Sequence, residues 1–141
     1  MTKPIKVMLI EDNLADIELV KIGLESARML VDMTVITDGN EALHYFTEGK
    51  APPDLILLDI NLPNVSGLEI LKQLRKNDTY KTVPVIILTS SDAEQDVAIG
   101  YREHANSFIT KPVDVNQFLD AIRSIENFWL SIVQLPTGKK E

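Results

Sequence analysis

Residues 55–67 read LILLDINLPNVSG. Four consecutive large apolar residues lead straight into Asp59. A charge directly behind a buried run is costly unless partners hold it. The run is near-continuous in its hydrophobicity rather than alternating, the pattern of a strand covered on both faces. Such strands belong to parallel sheets with helices on either side.

The rest of the chain supplies that sheet. Besides DLILLD (54–59), β-type runs occur as IKVMLI (5–10), DMTVIT (32–37), VPVIILT (83–89) and NSFIT (106–110). The first and fourth are also near-continuous. The second alternates and reads as an edge or less buried strand, and the fifth is short. Helical spacing fills the gaps. Residues 16–27 carry Ile17, Val20, Leu24 and Ala27 on one stripe, and 40–48 carry Ala42, Leu43 and Phe46. Residues 66–76 carry Leu68, Leu71 and Leu74, with Ser66 as cap and Glu69 three residues on, the spacing of a capping box. Residues 93–101 form the most polar helical pattern. Residues 114–132 form the longest, with Asp114 as cap and Phe118, Ile122, Ile125, Trp129 and Ile132 along one stripe. Five alternations of strand and helix define an α/β fold, a parallel sheet with helices on both faces joined by right-handed crossovers.

A chain of 141 residues fits one domain with one core. Pro136 and Gly138 discourage helix, so one unit over 1–135 with an extended last helix and a flexible tail over 136–141 is expected. The net charge of −7, without a cluster of Lys and Arg, disfavours nucleic acid and anionic membrane as partners. There is no cysteine, hence neither disulfide nor thiolate metal site. No apolar run is long enough to span a bilayer, and MTKPIKVMLI lacks the cleavage site of a signal peptide. A cytoplasmic location is the expectation.

In an open α/β sheet the functional site lies beyond the C-terminal ends of the strands. Those ends carry Glu11-Asp12, Asp59, Thr89-Ser90 and Thr110-Lys111-Pro112. Three carboxylates at one end of a sheet repel one another, and a hard divalent cation such as Mg²⁺, which takes oxygen ligands and keeps several waters, resolves the conflict. Lys111 supplies a fixed positive charge and Thr89 a hydroxyl. The set suits a phosphoryl group with one carboxylate as nucleophile. Taken singly, an Asp after a strand is most often a turn or cap residue, and a lone Lys is most often a surface residue. The joint placement of acid, acid, hydroxyl and lysine at four strand ends favours the site.

The pieces EDN (11–13), DINLPNVSG (59–67), TS (89–90) and KP (111–112) resemble the receiver domain of two-component response regulators, in order and in spacing. More narrowly, DNLADIELV (12–20), LLDINLP (57–63) and IENFWLSIVQLP (125–136) resemble small single-domain regulators paired with bacterial phytochrome kinases. The resemblance implies a five-stranded (βα)5 flavodoxin-like fold with strand order 2-1-3-4-5. It implies that Asp59 is the phosphoacceptor, attacking a phosphoryl group carried by a histidine of a sensor kinase. Asp12 and Asp59 would ligate Mg²⁺ directly, with the backbone carbonyl of Asn61 as a third ligand and Glu11 acting through a water. Lys111 would pair with Asp59 and then with the phosphoryl oxygens, and Thr89 would move onto the phosphoryl group. Phe108 stands where the family places an aromatic switch, often a tyrosine, and lacks its hydroxyl. The Lys111–Pro112 bond is one the family often holds cis. Asn61 and Ser91 fall where side chains tune the lifetime of the acyl phosphate. Pro63 fixes φ in the loop, and Gly67 is expected at the start of the third helix, relieving a tight turn.

With no second domain expected, output passes through a surface. Phosphorylation would bias a two-state equilibrium involving Thr89, the loop after it and Phe108. Adjacent Phe128 and Trp129 cannot both face one narrow stripe, and Ile132, Val133 and Leu135 prolong the apolar surface. A homodimer through the last helix and tail is the expectation, against a tail folded back over its own domain. Three other readings compete. A Mg²⁺-dependent phosphatase with an Asp nucleophile would need a second acid or base where Asn61 stands. A pseudo-receiver acting as a binding or dimerisation module would typically have lost an acid, the acceptor or the lysine. A flavodoxin-like cofactor site would put the acidic EDNLAD loop against a phosphate.

Overall fold

The run that ends in Asp59 forms the middle strand of a five-stranded parallel sheet in the computed structural model, which describes residues 4–26, 30–89, 105, 107–110, 116 and 120. For Ser26, Thr89, Ser107 and Thr110 the description covers the backbone. The strands are β1 (Ile5–Ile10), β2 (Val31–Ile36), β3 (Leu55–Asp59), β4 (Val85–Thr89) and β5 (Ser107–Thr110). Between them lie helices α1 (Leu14–Ser26), α2 (Gly39–Phe46) and α3 (Gly67–Lys76). The strand order is β2-β1-β3-β4-β5, as expected for the flavodoxin-like receiver topology. The expected helices over 93–101 and 114–132 lie outside the described residues, apart from Asn116 and Asp120, both helical. The division at residue 135 and the tail also lie outside them.

The continuous hydrophobicity of β1, β3 and β4 has the anticipated cause. Alternate side chains serve two separate cores. Met8, Ile10, Ile56, Leu58, Val85 and Ile87 pack with Ala42 and Phe46 of α2 and Ile70, Leu71 and Leu74 of α3. Val7, Leu9, Leu55, Leu57, Ile86, Leu88 and Ile109 pack with Ile17, Val20 and Leu24 of α1. Burying each such side chain is worth roughly 1.5–3 kcal/mol, so strands lined on both sides anchor the sheet. β2 alternates because it is an edge: Asp32 and Thr34 are exposed, whereas Ile36 is buried.

The helix ends are set by side chains. Asn13 caps α1 by accepting the Asp16 N–H at 3.0 Å, so the helix begins two residues earlier than its apolar stripe indicates. Ser66 caps α3 by accepting from the Leu68 and Glu69 N–H groups at 3.1 and 3.3 Å. The other half of the capping box differs from expectation. Glu69 accepts from Gln73 Nε2 at 3.0 Å, one turn along, which leaves it facing down the helix. Beyond α3, the Asn77 side chain accepts the Thr79 and Tyr80 N–H groups and donates to the Phe46 carbonyl. Arg75 Nη1 donates to the carbonyls of Lys81 and Val83 at 3.2 and 2.8 Å, tying the last turn of α3 to the approach to β4. Burial holds the Arg75 guanidinium below its ordinary pKa. Among the described residues no helix is long and apolar enough to cross a membrane.

Candidate functional site

Parallel pairing decides which residues meet. Ile10 is the register partner of Leu58, so the residues that follow them, Glu11 and Asp59, leave adjacent strands side by side. Glu11 continues the ladder, its N–H donating to the Ile36 carbonyl at 3.0 Å. Glu11 and Asp59 are buried, at 0% and 2% exposure, while Asp12 is exposed. One carboxylate oxygen from each of Glu11, Asp12 and Asp59 lies within 4.8 Å of the others. The two buried acids are held alike. Glu11 Oε2 accepts the N–H of Asn13 at 3.1 Å, and Asp59 Oδ1 accepts the N–H of Asn61 at 3.0 Å. In each case an amide two residues on fixes one oxygen.

The loop after Asp59 is closed at its neck. The Ile60 N–H donates to the Leu88 carbonyl at 2.9 Å, and the Gly67 N–H donates to the Ile60 carbonyl at 3.0 Å. A Cβ on Gly67 would sit 2.3 Å from the Asp59 carbonyl oxygen and 2.7 Å from the Ile60 Cα. Gly67 is therefore required for close approach of two backbones. The positive φ of this loop falls at Asn64, at 70°. Ile60 and Leu62 turn inward and are buried, while Asn61 is exposed.

The other anticipated residues are placed in part. Thr89 ends β4, in register with Thr110, one residue beyond Leu88, the partner of Asp59. Phe108 on β5 is half-buried against the core that α2 and α3 share. Lys111, Pro112, Ser90, Ser91, Phe128, Trp129 and Ile132 lie outside the described residues. Glu11, Asp12, Asp59 and Asn61 are thus the members brought together. Sequence reasoning missed Asp38, Gly39 and Asn64, where the β2–α2 connection meets the loop after Asp59. An Asn between Pro63 and Val65 was the available signal, since Asn tolerates left-handed backbone.

Like charges this close are in conflict. At an effective dielectric of about 20, unit charges ~4.8 Å apart repel by roughly 3.5 kcal/mol. The donor set is all oxygen, anionic and partly buried, which fits a hard divalent cation that retains waters and excludes a thiolate-type site. The cluster is a carboxylate triad with the capacity to hold a divalent metal ion.

The fold and triad define a phosphoryl-handling signalling domain, and comparison with known sequences agrees. The chain belongs to the response regulator receiver domain family, whose sequence pattern matches residues 7–123. The response regulator Rcp1 of Synechocystis sp. is 35% identical over 140 residues, spanning 96% of this chain and 95% of Rcp1. The crystal structure of a phosphorylated cyanobacterial phytochrome response regulator, RcpA, superposes with a TM-score of 0.76 at 36% identity, covering 92% of this chain and 96% of RcpA. The Mn²⁺-bound form of Rcp1 superposes at 0.75 with 34% identity, covering 90% of this chain and 95% of Rcp1. Receiver fold and acidic triad together are those of Mg²⁺-dependent phosphoacceptor signalling as response regulators carry it out.

Proposed function

We propose that Asp59 accepts a phosphoryl group from a histidine of a sensor kinase and that the acyl phosphate alters a surface read by the next component. A carboxylate oxygen of Asp59 attacks phosphorus. The P–O bond forms as the P–N bond breaks, and the electron pair leaves on the imidazole nitrogen. Asp12, Asp59 and the Asn61 carbonyl would hold Mg²⁺, and Glu11 would act through a water. When bound, Mg²⁺ offsets the charge that develops on the transferring oxygens. Lys111 neutralises the phosphoryl oxygens from the β5 side, Thr89 hydrogen-bonds them, and Phe108 turns with Thr89 as the switch.

One observation carries the reading: the buried Asp59 ends the central strand within 4.8 Å of two further carboxylates. Likeness to a phytochrome response regulator supports a phytochrome-type sensor kinase as the donor. Incubation with acetyl phosphate and Mg²⁺ adds one phosphoryl group by intact mass, and EDTA or Asp59→Asn abolishes it. An undiminished adduct in Asp59→Asn would refute Asp59 as acceptor. We also infer a homodimer through Phe128, Trp129 and Ile132, without nucleic acid or membrane as partner and with action in the cytoplasm. Light scattering should show a dimer that Trp129→Ala converts to monomer. A monomer in both sinks this assembly.

A further inference from the structure

Asn64 stands between Pro63 and Val65 at the far end of the loop that begins at Asp59. Its φ of 70° coincides with a bond of 2.8 Å from the Val65 N–H to the Pro63 carbonyl. That combination marks a three-residue γ-turn of the rarer hand, a strained conformation that persists only where surroundings enforce it. Two contacts do so. Asn64 Nδ2 donates to Asp38 Oδ1 at 3.0 Å. Next to it, the Cβ position of Gly39 would lie 2.9 Å from Val65 Cβ and 3.0 Å from the Val65 carbonyl oxygen, so the start of α2 presses on the same turn. Asp38 precedes α2 with extended backbone, φ −136° and ψ 133°, and makes no side-chain cap bond to its own helix. Its carboxylate serves the neighbouring loop instead.

The loop is therefore pinned at both ends, at the neck by Gly67 and at the tip by Asp38. Asn61 lies between the pins. Its N–H orients Asp59, and its carbonyl leaves the same loop.

We propose that Asp38 and Asn64 form a latch that positions the 60–66 loop for cation binding at the acidic triad. This role deepens the metal-dependent reading of the site above and rests on it. Asp38 and Asn64 are positioning residues, acting through Asn61. The latch joins the β2–α2 connection to the phosphoacceptor loop.

The test compares Asp38→Ala, Asn64→Gly, the double variant and Asp38→Asn in the full chain. Glycine adopts φ 70° readily, so Asn64→Gly removes the bond while sparing the backbone. Mn²⁺ affinity is read from the free-ion electron paramagnetic resonance signal, and amide exchange is read at Asn61 and Gly67. Asp38→Ala and Asn64→Gly should each weaken Mn²⁺ binding about three- to ten-fold, the loss of one hydrogen bond to a charged acceptor. The double variant should be no worse than either single one. Asp38→Asn keeps an acceptor and should restore most of the affinity. Exchange at Asn61 should quicken in parallel.

Wild-type affinity and exchange in both single variants would overturn the latch. So would additive losses, or an Asp38→Asn variant as weak as Asp38→Ala. If the wild type binds no Mn²⁺, the metal-dependent reading fails, and amide exchange alone judges the latch: unchanged Asn61 exchange in the variants overturns it.

Discussion

Replacing Asp59 with Asn should stabilise the protein in the absence of divalent cation. Asparagine keeps the shape, and its carbonyl oxygen can still accept the Asn61 N–H that now lies 3.0 Å from Asp59 Oδ1. What vanishes is a buried negative charge whose oxygen lies within 4.8 Å of two other carboxylates. Each such pair costs roughly 3.5 kcal/mol at an effective dielectric of about 20. Asp12 is exposed, so solvent screens most of its share and the relief is set by the buried Glu11 pair, about 3.5 kcal/mol. A neutral acceptor is weaker than a charged one by about 1 kcal/mol, and the attraction of the expected Lys111 partner, roughly 0.5 kcal/mol, goes with the charge. The net expectation is a gain of about 2 kcal/mol in unfolding free energy. Urea denaturation in EDTA measures it. Millimolar Mg²⁺ should then stabilise the wild type by mass action and the variant far less, closing the gap. A variant no more stable than wild type in EDTA would refute the view that these carboxylates are in electrostatic conflict.

Gly67→Ala forces the end of β3 and the start of α3 apart by roughly 1 Å against backbone, and should cost about 3 kcal/mol by urea denaturation while weakening Mg²⁺ binding. A loss under 1 kcal/mol would show that the neck is not tight. Tyr80 is 1% exposed, and its hydroxyl finds no hydrogen-bond partner among the described residues. Tyr80→Phe should therefore be at least as stable as wild type at neutral pH. Burial, then Tyr45 and Glu48, raise the pKa of Tyr80. The unfolded chain thus ionises first, and wild-type stability falls as pH rises through the interval between the ordinary value, near 10, and the raised one. Tyr80→Phe should lack that part of the alkaline loss, and chemical denaturation at pH 7 and above 10 would show it.

The sheet was legible because burial on both faces writes itself as uninterrupted hydrophobicity, and because an edge strand must alternate. The triad was legible because strand ends in a parallel sheet converge, so Glu11 and Asp59 could be paired before any geometry was known. Contacts between loops were not legible. Nothing in TDGN (37–40) and LPNV (62–65) announces that Asp38 reaches Asn64, since neither residue repeats with a period. Gly67 was noticed for a turn, but the structure uses it for the missing Cβ, a requirement set by a strand eight residues earlier in the chain. Tyr80 sits in the polar stretch NDTYKT (77–82), which the Asn77 and Arg75 bonds fold so that its ring lies inward beside Phe46.

β3 is buried at every position and hydrogen-bonded on both sides. Backbone so enclosed exposes its amides only when the whole domain opens, so among the described residues these should be the last to exchange with solvent. Asp59 is the terminal residue of that unyielding segment. In the phosphorylation proposed above, volume and charge added to its carboxylate would meet an anvil behind and, ahead, a loop held at Gly67 and Asp38. The recoil would then pass outward through residues 60–66, and the strand would act as a rectifier, turning a single new covalent bond into motion on one side of the molecule.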